Sequence, residues 1–192
     1  MHLEKMNMLQ TKVNFFHNCL KRDYVKSAID LEAEYCLTDE PITFEEKNEH
    51  QFKSVKAGDI WGQSWQCAWF HLPGTIPAQW AGQPVCVHIN IGGEGLLFSA
   101  DGVPLRSITD YSVFQANFVN EYFPLCNTAN GGEKVDLWVD AGANGYFGMM
   151  LIPHPRLDIR EKEGNTAASV KSLQLCLTDE TLRQLGLDWE IA

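Results

Sequence analysis

The chain has 192 residues, 45% of them hydrophobic and 21% charged, with a formal net charge of −10. That length suits one globular domain, with roughly 70% of the unfolded chain's surface buried on folding. An acidic balance with no basic patch argues against nucleic acid and against anionic membranes as partners.

The opening stretch, MHLEKMNMLQTKVNFF, is broken by charge and has no apolar core of a leader peptide. No run approaches the about 18 apolar residues of a membrane span. Leu9, Val13, Phe16 and Leu20 recur at i, i+4, i+7 and i+11, one face of a helix. Ile29, Leu31, Tyr35 and Leu37 form a second apolar set that extends the helical reading. Residues 1–40 are therefore expected to be a helical segment packed on the body of the domain.

From Pro41 the pattern becomes that of strands. They are expected at 41–46, 52–56, 65–72, 85–91, 95–100, 103–107, 113–123, 134–140, 146–152, 157–160 and 168–178. Val85, Val87, Ile89 and Ile91 alternate with Cys86, His88 and Asn90, the period of two of a half-buried strand. Asp101-Gly102 is a strong hairpin signal between two such runs. Val135, Leu137 and Val139 alternate with Asp136, Trp138 and Asp140, and Leu173, Leu175 and Leu177 with Gln174 and Cys176. Pro153 and Pro155 cannot donate to a ladder, so 146–160 is expected to break or to run along an edge. Thr178-Asp179 offers an N-cap to a short helix that Gly186 would stop. The apolar stretch after it, up to Ala192, is expected to dock or to lead into further chain. The resulting fold class is all-β: a β-sandwich over 41–178, jelly-roll or galactose-binding-like, with short N-terminal and C-terminal helices. Residues 179–192 form the closing helix or linker.

Chemistry is harder to find. The six cysteines are widely spaced with no CxxC pair, which favours free thiols in a reducing cytosol over a disulfide framework. The histidines are scattered, and His154-Pro155-Arg156-Leu157-Asp158 is the nearest approach to a ligand cluster. A hydrogen-bonded loop histidine is the better reading there, so no metal residue is assigned. Gly92-Gly93-Glu94-Gly95 lacks the spacing, lysine and following helix of a phosphate loop and reads as a bend. There is no nucleophile elbow, and sequence selects no opposed pair from the 25 acidic residues, so no catalytic residue is assigned. Trp61, Trp65, Trp69 and Trp80 crowd together. Core or interface packing is the ordinary role of tryptophan. A sugar-stacking platform is the alternative for Trp61, Trp65 or Trp80, which lie beside loops.

Several motifs in order carry a resemblance. Trp69-Phe70, Ile76-Pro77, Trp80 and Gly82 are followed by Glu94-Gly95-Leu96 and Asp101-Gly102-Val103-Pro104. Then come Glu121-Tyr122-Phe123-Pro124-Leu125 and the run VDLWVDAGANGYFG from Val135 to Gly148. Finally, Ser172 to Ile191 fits a strand and helix leading to a further domain. Together these resemble the N-terminal β-sandwich of glycoside hydrolase family 38 α-mannosidases of the cytosolic and vacuolar type.

The resemblance implies a scaffold that supports a separate, retaining catalytic domain holding zinc and an aspartate nucleophile. The histidine-aspartate-tryptophan hallmark of that domain does not occur here, so zinc is expected only in the absent catalytic domain. Its implied partners are that domain or polypeptide, neighbouring subunits of a homo-oligomer, and a mannose-containing glycan; its implied location is cytoplasmic. Glu94 and Asp101 join Trp61, Trp65 and Trp80 as candidate carbohydrate-binding residues, although turn formation and hydrogen bonding explain both acids. The expected function is that of a non-catalytic N-terminal domain of an α-mannosidase-like hydrolase. A stand-alone carbohydrate-binding module, and a structural or oligomerisation domain using residues 1–37, are the alternatives.

Overall fold

Two antiparallel sheets face one another across a single apolar core. The computed structural model describes residues 8–9, 11–13, 15–16, 19–20, 23–63, 65–109, 120–143 and 168–191. In chain order the strands are β1 (Val25–Asp30), β2 (Ala33–Thr38), β3 (Lys53–Val55), β4 (Ile60–Gly62), β5 (Cys67–Thr75) and β6 (Val85–Asn90). They continue with β7 (Glu94–Ser99), β8 (Pro104–Thr109), β9 (Tyr122–Cys126), β10 (Lys134–Gly142), β11 (Ala168–Ser169) and β12 (Ser172–Thr178). One sheet has the order β1-β12-β6-β9, the other β3-β2-β5-β10-β7-β8, and β11 pairs with β4. Leaving aside the β4–β11 pair, the chain changes sheet between β1 and β2, β5 and β6, β6 and β7, β8 and β9, β9 and β10, and β10 and β12. Alternate side chains of both sheets then meet in one core: Tyr35, Phe70, Leu72, Leu97 and Val139 from one, Val87, Ile89 and Leu175 from the other. Burying each such side chain favours the fold by about 1.5–3 kcal/mol.

Three expectations are corrected, one being that Gly186 would stop the closing helix, which runs through it from Glu180 to Ile191. Residues 25–38 are not helical; they form β1, which pairs with β12, and β2, which pairs with β5. The apolar residues there, Ile29, Leu31, Ala33, Tyr35 and Leu37, fall at every second position, which is a strand period. The sandwich therefore begins at Val25, inside the expected 1–40 helical segment. Residues 41–46 are not a strand. Thr43 and Glu46 form a reciprocal capping box, the Thr43 N–H donating to Glu46 Oε2 at 2.7 Å and the Glu46 N–H to Thr43 Oγ1 at 3.3 Å. A 3₁₀ turn, Glu46–Glu49, comes next. Short β4 was not anticipated, and the run 168–178 divides into β11 and β12. The strands expected at 146–152 and 157–160, His154, and most of 113–123 lie outside the described residues.

Both outer faces carry cover. On the six-stranded sheet, Phe44 and Phe52 from the segment before β3 lie against Trp69, Phe98 and Trp138. On the four-stranded sheet, buried Leu20 and Tyr24 lie beside the helix Glu180–Ile191. Asp179 caps that helix by accepting the Leu182 N–H at 3.1 Å. The described residues before Leu20 are helical, and Leu9, Val13 and Phe16 of the expected apolar stripe are exposed. No helix among the described residues is long and apolar enough to cross a membrane.

Candidate functional site

A concavity arises where the chain changes sheet. It leaves β1 at Asp30, crosses through Leu31 and Glu32, and enters the other sheet at Ala33. β2 pairs with β5 only as far as Glu34 opposite His71, so the last four residues of β5 have no strand beside them on that side. The notch so formed has a volume of about 550 Å³, within the about 300–1,000 Å³ of small-molecule sites. Leu31, Val135 and Leu175 make its apolar floor. A Cβ at Gly74 would lie 2.5 Å from Leu31 Cδ2, so a larger residue there would push the Leu31 side chain aside. Asp30, Glu32, His71, Thr75, Lys134 and Asp136 supply the polar rim. Gln174 Nε2 donates to Asp30 Oδ1 at 2.8 Å, and Lys134 Nζ to Thr75 Oγ1 at 3.0 Å.

His71 is the most constrained side chain of the rim. Its Nδ1 lies 3.0 Å from Glu34 Oε1 and its Nε2 3.0 Å from Asp136 Oδ1. Both contacts are hydrogen bonds only when each ring nitrogen carries a proton. The register explains the clamp: His71 stands opposite Glu34 on one neighbour and Trp138 on the other. The imidazole stacks on Trp138 with centroids 4.1 Å apart and an interplanar angle of 11°. Trp138 also meets Lys47, whose Nζ lies 4.2 Å from its ring centroid and 3.4 Å from that of Phe44. Lys47 is only 2% exposed and donates to the Phe44 carbonyl at 2.8 Å. Burial draws its ammonium below the usual lysine range, against the pull of Glu45 and Asp136.

A second polar cluster lies on the outer face of the four-stranded sheet. Glu121 Oε2 is 2.8 Å from His88 Nε2 and accepts from Asn90 Nδ2 at 2.9 Å. Burial pushes the Glu121 carboxyl up, but the hydrogen bonds from His88 and Asn90 outweigh it and hold the group below its ordinary value. The His88 ring stacks on Tyr122, and Tyr24 meets Tyr122 edge-on. Burial raises both phenols, Tyr122 to about 12.

These arrangements can bind and orient polar groups, but they do not form a reactive centre. Burial raises the Asp140 carboxyl, yet the residues directly opposite are Trp69 and Leu96, so no acidic partner stands across from it. Among the described residues no three His, Cys, Asp or Glu side chains converge to hold a metal ion.

The five candidate carbohydrate residues do not come together. Trp61 is 2% exposed, donates from Nε1 to the Ile91 carbonyl at 2.7 Å and meets Phe70 edge-on. Trp80 is 4% exposed and belongs to the core. Neither offers a face for stacking, so the platform reading is corrected for both: their apolar area is spent inside the sandwich. Trp65 is 60% exposed and holds a left-handed φ of 78°. Glu94 opens β7, whereas Asp101 sits in the turn beyond the other end of that strand, and both are exposed. The notch carried no sequence motif; it joins residues from four separate parts of the chain.

Fold and site together define a β-sandwich domain with a polar notch and no assembled reactive centre among the described residues. The chain belongs to the family described as alpha-mannosidase, jelly roll domain, whose model matches residues 25–171. Human alpha-mannosidase 2C1 is 27% identical over 152 residues, which cover 74% of this chain and 14% of that protein. Alpha-mannosidase G of Dictyostelium discoideum is 24% identical over 110 residues, 57% of this chain and 10% of that one. The chain thus spans a small part of the curated relatives it matches. A beta-glucuronidase of Faecalibacterium prausnitzii superposes with a TM-score of 0.44 at 12% identity, over 80% of this chain and 32% of that chain. A Ruminococcus gnavus beta-glucuronidase gives 0.45 at 10%, over 82% and 30%. Superposition this loose carries nothing about function.

Proposed function

We propose that this chain is a non-catalytic jelly-roll domain of an α-mannosidase-like hydrolase of glycoside hydrolase family 38, whose sugar chemistry belongs to a separate catalytic domain. The family match over residues 25–171 carries this reading. The relatives are several times longer than the match, which supports a partner domain in the same enzyme. The zinc that the resemblance implies needs three or four ligands. Among the described residues no such set is found. All six cysteines are free, which supports a cytoplasmic location. The test is to incubate the purified chain with zinc and an aryl α-mannoside. No release of the aryl alcohol is expected; zinc-dependent release that the free ion cannot produce would overturn the reading.

A second reading rests on the notch. Its volume, apolar floor and carboxylate rim suit a sugar ring, whose hydroxyls need acceptors and whose C–H faces need apolar contact. Calorimetric titration with mannose and α-linked mannobiose tests it. Heat that disappears in Asp136→Asn supports glycan binding, and a flat titration excludes it for these sugars.

A further inference from the structure

Cys86 and Cys176 stand directly opposite one another in the β6–β12 ladder. Antiparallel partners hold their Cα atoms about 4.5–5.5 Å apart, inside the about 4.4–6.8 Å that disulfides span. Both are free thiols, 3% and 1% exposed. No other described pair of cysteines has this relation. Cys36 stands opposite Trp69, Cys67 opposite Thr38 and Gly142, and Cys126 opposite Val85. Period-two alternation puts Cys86 and Cys176 on the outer face of their sheet, away from the core row of Val85, Val87 and Leu175.

The cover over that face is specific. Tyr24 and Arg183 lie within electrostatic reach of Cys86, one before β1 and the other on the helix Glu180–Ile191. The cover is latched at Asp179. Its backbone N–H donates to the Tyr24 carbonyl at 2.7 Å, and its Oδ2 lies 3.0 Å from Lys26 Nζ. The same side chain caps the helix. Both thiols lie beneath this cover, nearly out of reach of solvent.

We propose that Cys86 and Cys176 form a redox modification site, a dithiol that closes to a disulfide by exchange with a small disulfide of the glutathione type. One protein thiolate attacks a sulfur of the oxidised glutathione and expels a glutathione thiolate. The second protein thiolate then attacks the protein sulfur of that mixed disulfide and expels the other glutathione. The two protein thiols lose two electrons, one glutathione disulfide gains them, and the two thiol protons end on the released glutathiones.

The full chain, incubated with oxidised glutathione, quenched by alkylation in denaturant and weighed intact, tests this directly. The expected product is lighter by two hydrogens before alkylation and takes up four alkyl groups where the reduced chain takes six. A non-reducing digest then joins the Cys86 and Cys176 peptides. Glutathione adducts on both residues, a cross-link between other cysteines, or six alkylated thiols after prolonged exposure would overturn the proposal. Cys86→Ser is expected to lose the cross-link while keeping the strand signature in circular dichroism. Asp179→Ala, which removes the cap and the Lys26 contact but keeps the backbone bond to Tyr24, is expected to speed closure about five-fold; an unchanged rate would overturn the role given to the cover.

Discussion

A single methyl group at Gly92 is expected to unsettle the bend between β6 and β7. Gly92 holds a φ of +69°, and its N–H donates to Asn90 Oδ1 at 3.1 Å. A Cβ there would lie 2.4 Å from the Ser169 carbonyl oxygen. That oxygen cannot retreat freely, because the Val170 N–H donates to Asp59 O at 2.9 Å and the Lys171 N–H to Asn90 O at 2.7 Å. The left-handed backbone costs an alanine about 1–2 kcal/mol, and forcing a methyl into packed backbone adds about 1–3 kcal/mol. Gly92→Ala should therefore lose about 2–5 kcal/mol in all. Gly82 is the control. Its φ is +78°, but a Cβ there meets nothing within 4 Å. Gly82→Ala should lose only the conformational part, about 1–2 kcal/mol. Urea unfolding of both variants beside the parent, followed by tryptophan fluorescence, reads the difference. Equal losses would refute the claim that backbone proximity, rather than φ alone, fixes glycine at this bend.

The buried polar groups and the tryptophans yield further outcomes. Lys47→Met keeps the volume beside Phe44 and Trp138 and should change stability by less than about 1.5 kcal/mol, whereas Lys47→Ala should lose about 2–4 kcal/mol. The Lys47 ammonium is depressed in the fold, so its contribution is fully present above the ordinary lysine value and is lost as pH falls through the lowered one. The parent should therefore gain on Lys47→Met between about pH 7 and pH 10.4, as urea midpoints at the two ends would show. Glu121 is a depressed carboxyl, so its stabilisation is present above the ordinary glutamate value and is lost as pH falls through its folded value. Glu121→Gln should cost about 1–3 kcal/mol at neutral pH and should flatten the acid limb of the stability profile. Trp65→Ala should stay within about 0.5 kcal/mol of the parent, while Trp61→Ala should lose about 3–5 kcal/mol, both read by thermal unfolding.

The sheets were legible where apolar and polar residues alternate or where a turn is chemically marked. Val85 to Asn90 alternates and is β6; Asp101-Gly102 marks a turn and closes β7 onto β8, with Gly102 at a φ of +76°. The misreadings had signals of their own. The spacing of Ile29, Leu31, Tyr35 and Leu37 is even, which a helix face cannot keep, and Thr43-Phe44-Glu45-Glu46 spells a capping box. Trp138 sits in the outward row of β10, and a tryptophan flanked in that row by Asp136 and Asp140 implies that something covers it. Phe44, Phe52 and Lys47 do.

The notch and the thiol pair were illegible for a different reason. Glu34 and Asp136 reach His71 across 37 and 65 residues of chain, and Cys86 meets Cys176 only because β12 enters the sheet between β1 and β6. Alternation tells which face a side chain takes but not which strand lies beside it. Chemistry built along one strand can be read from spacing, whereas chemistry built across strands waits on their order. The residues chosen from the sequence, Trp61 and Trp80 above all, were those conspicuous by type, and type led to the core. The groups that face one another across strands, His71 with its two acids and Cys86 with Cys176, are individually ordinary. Their neighbours in space make them candidates.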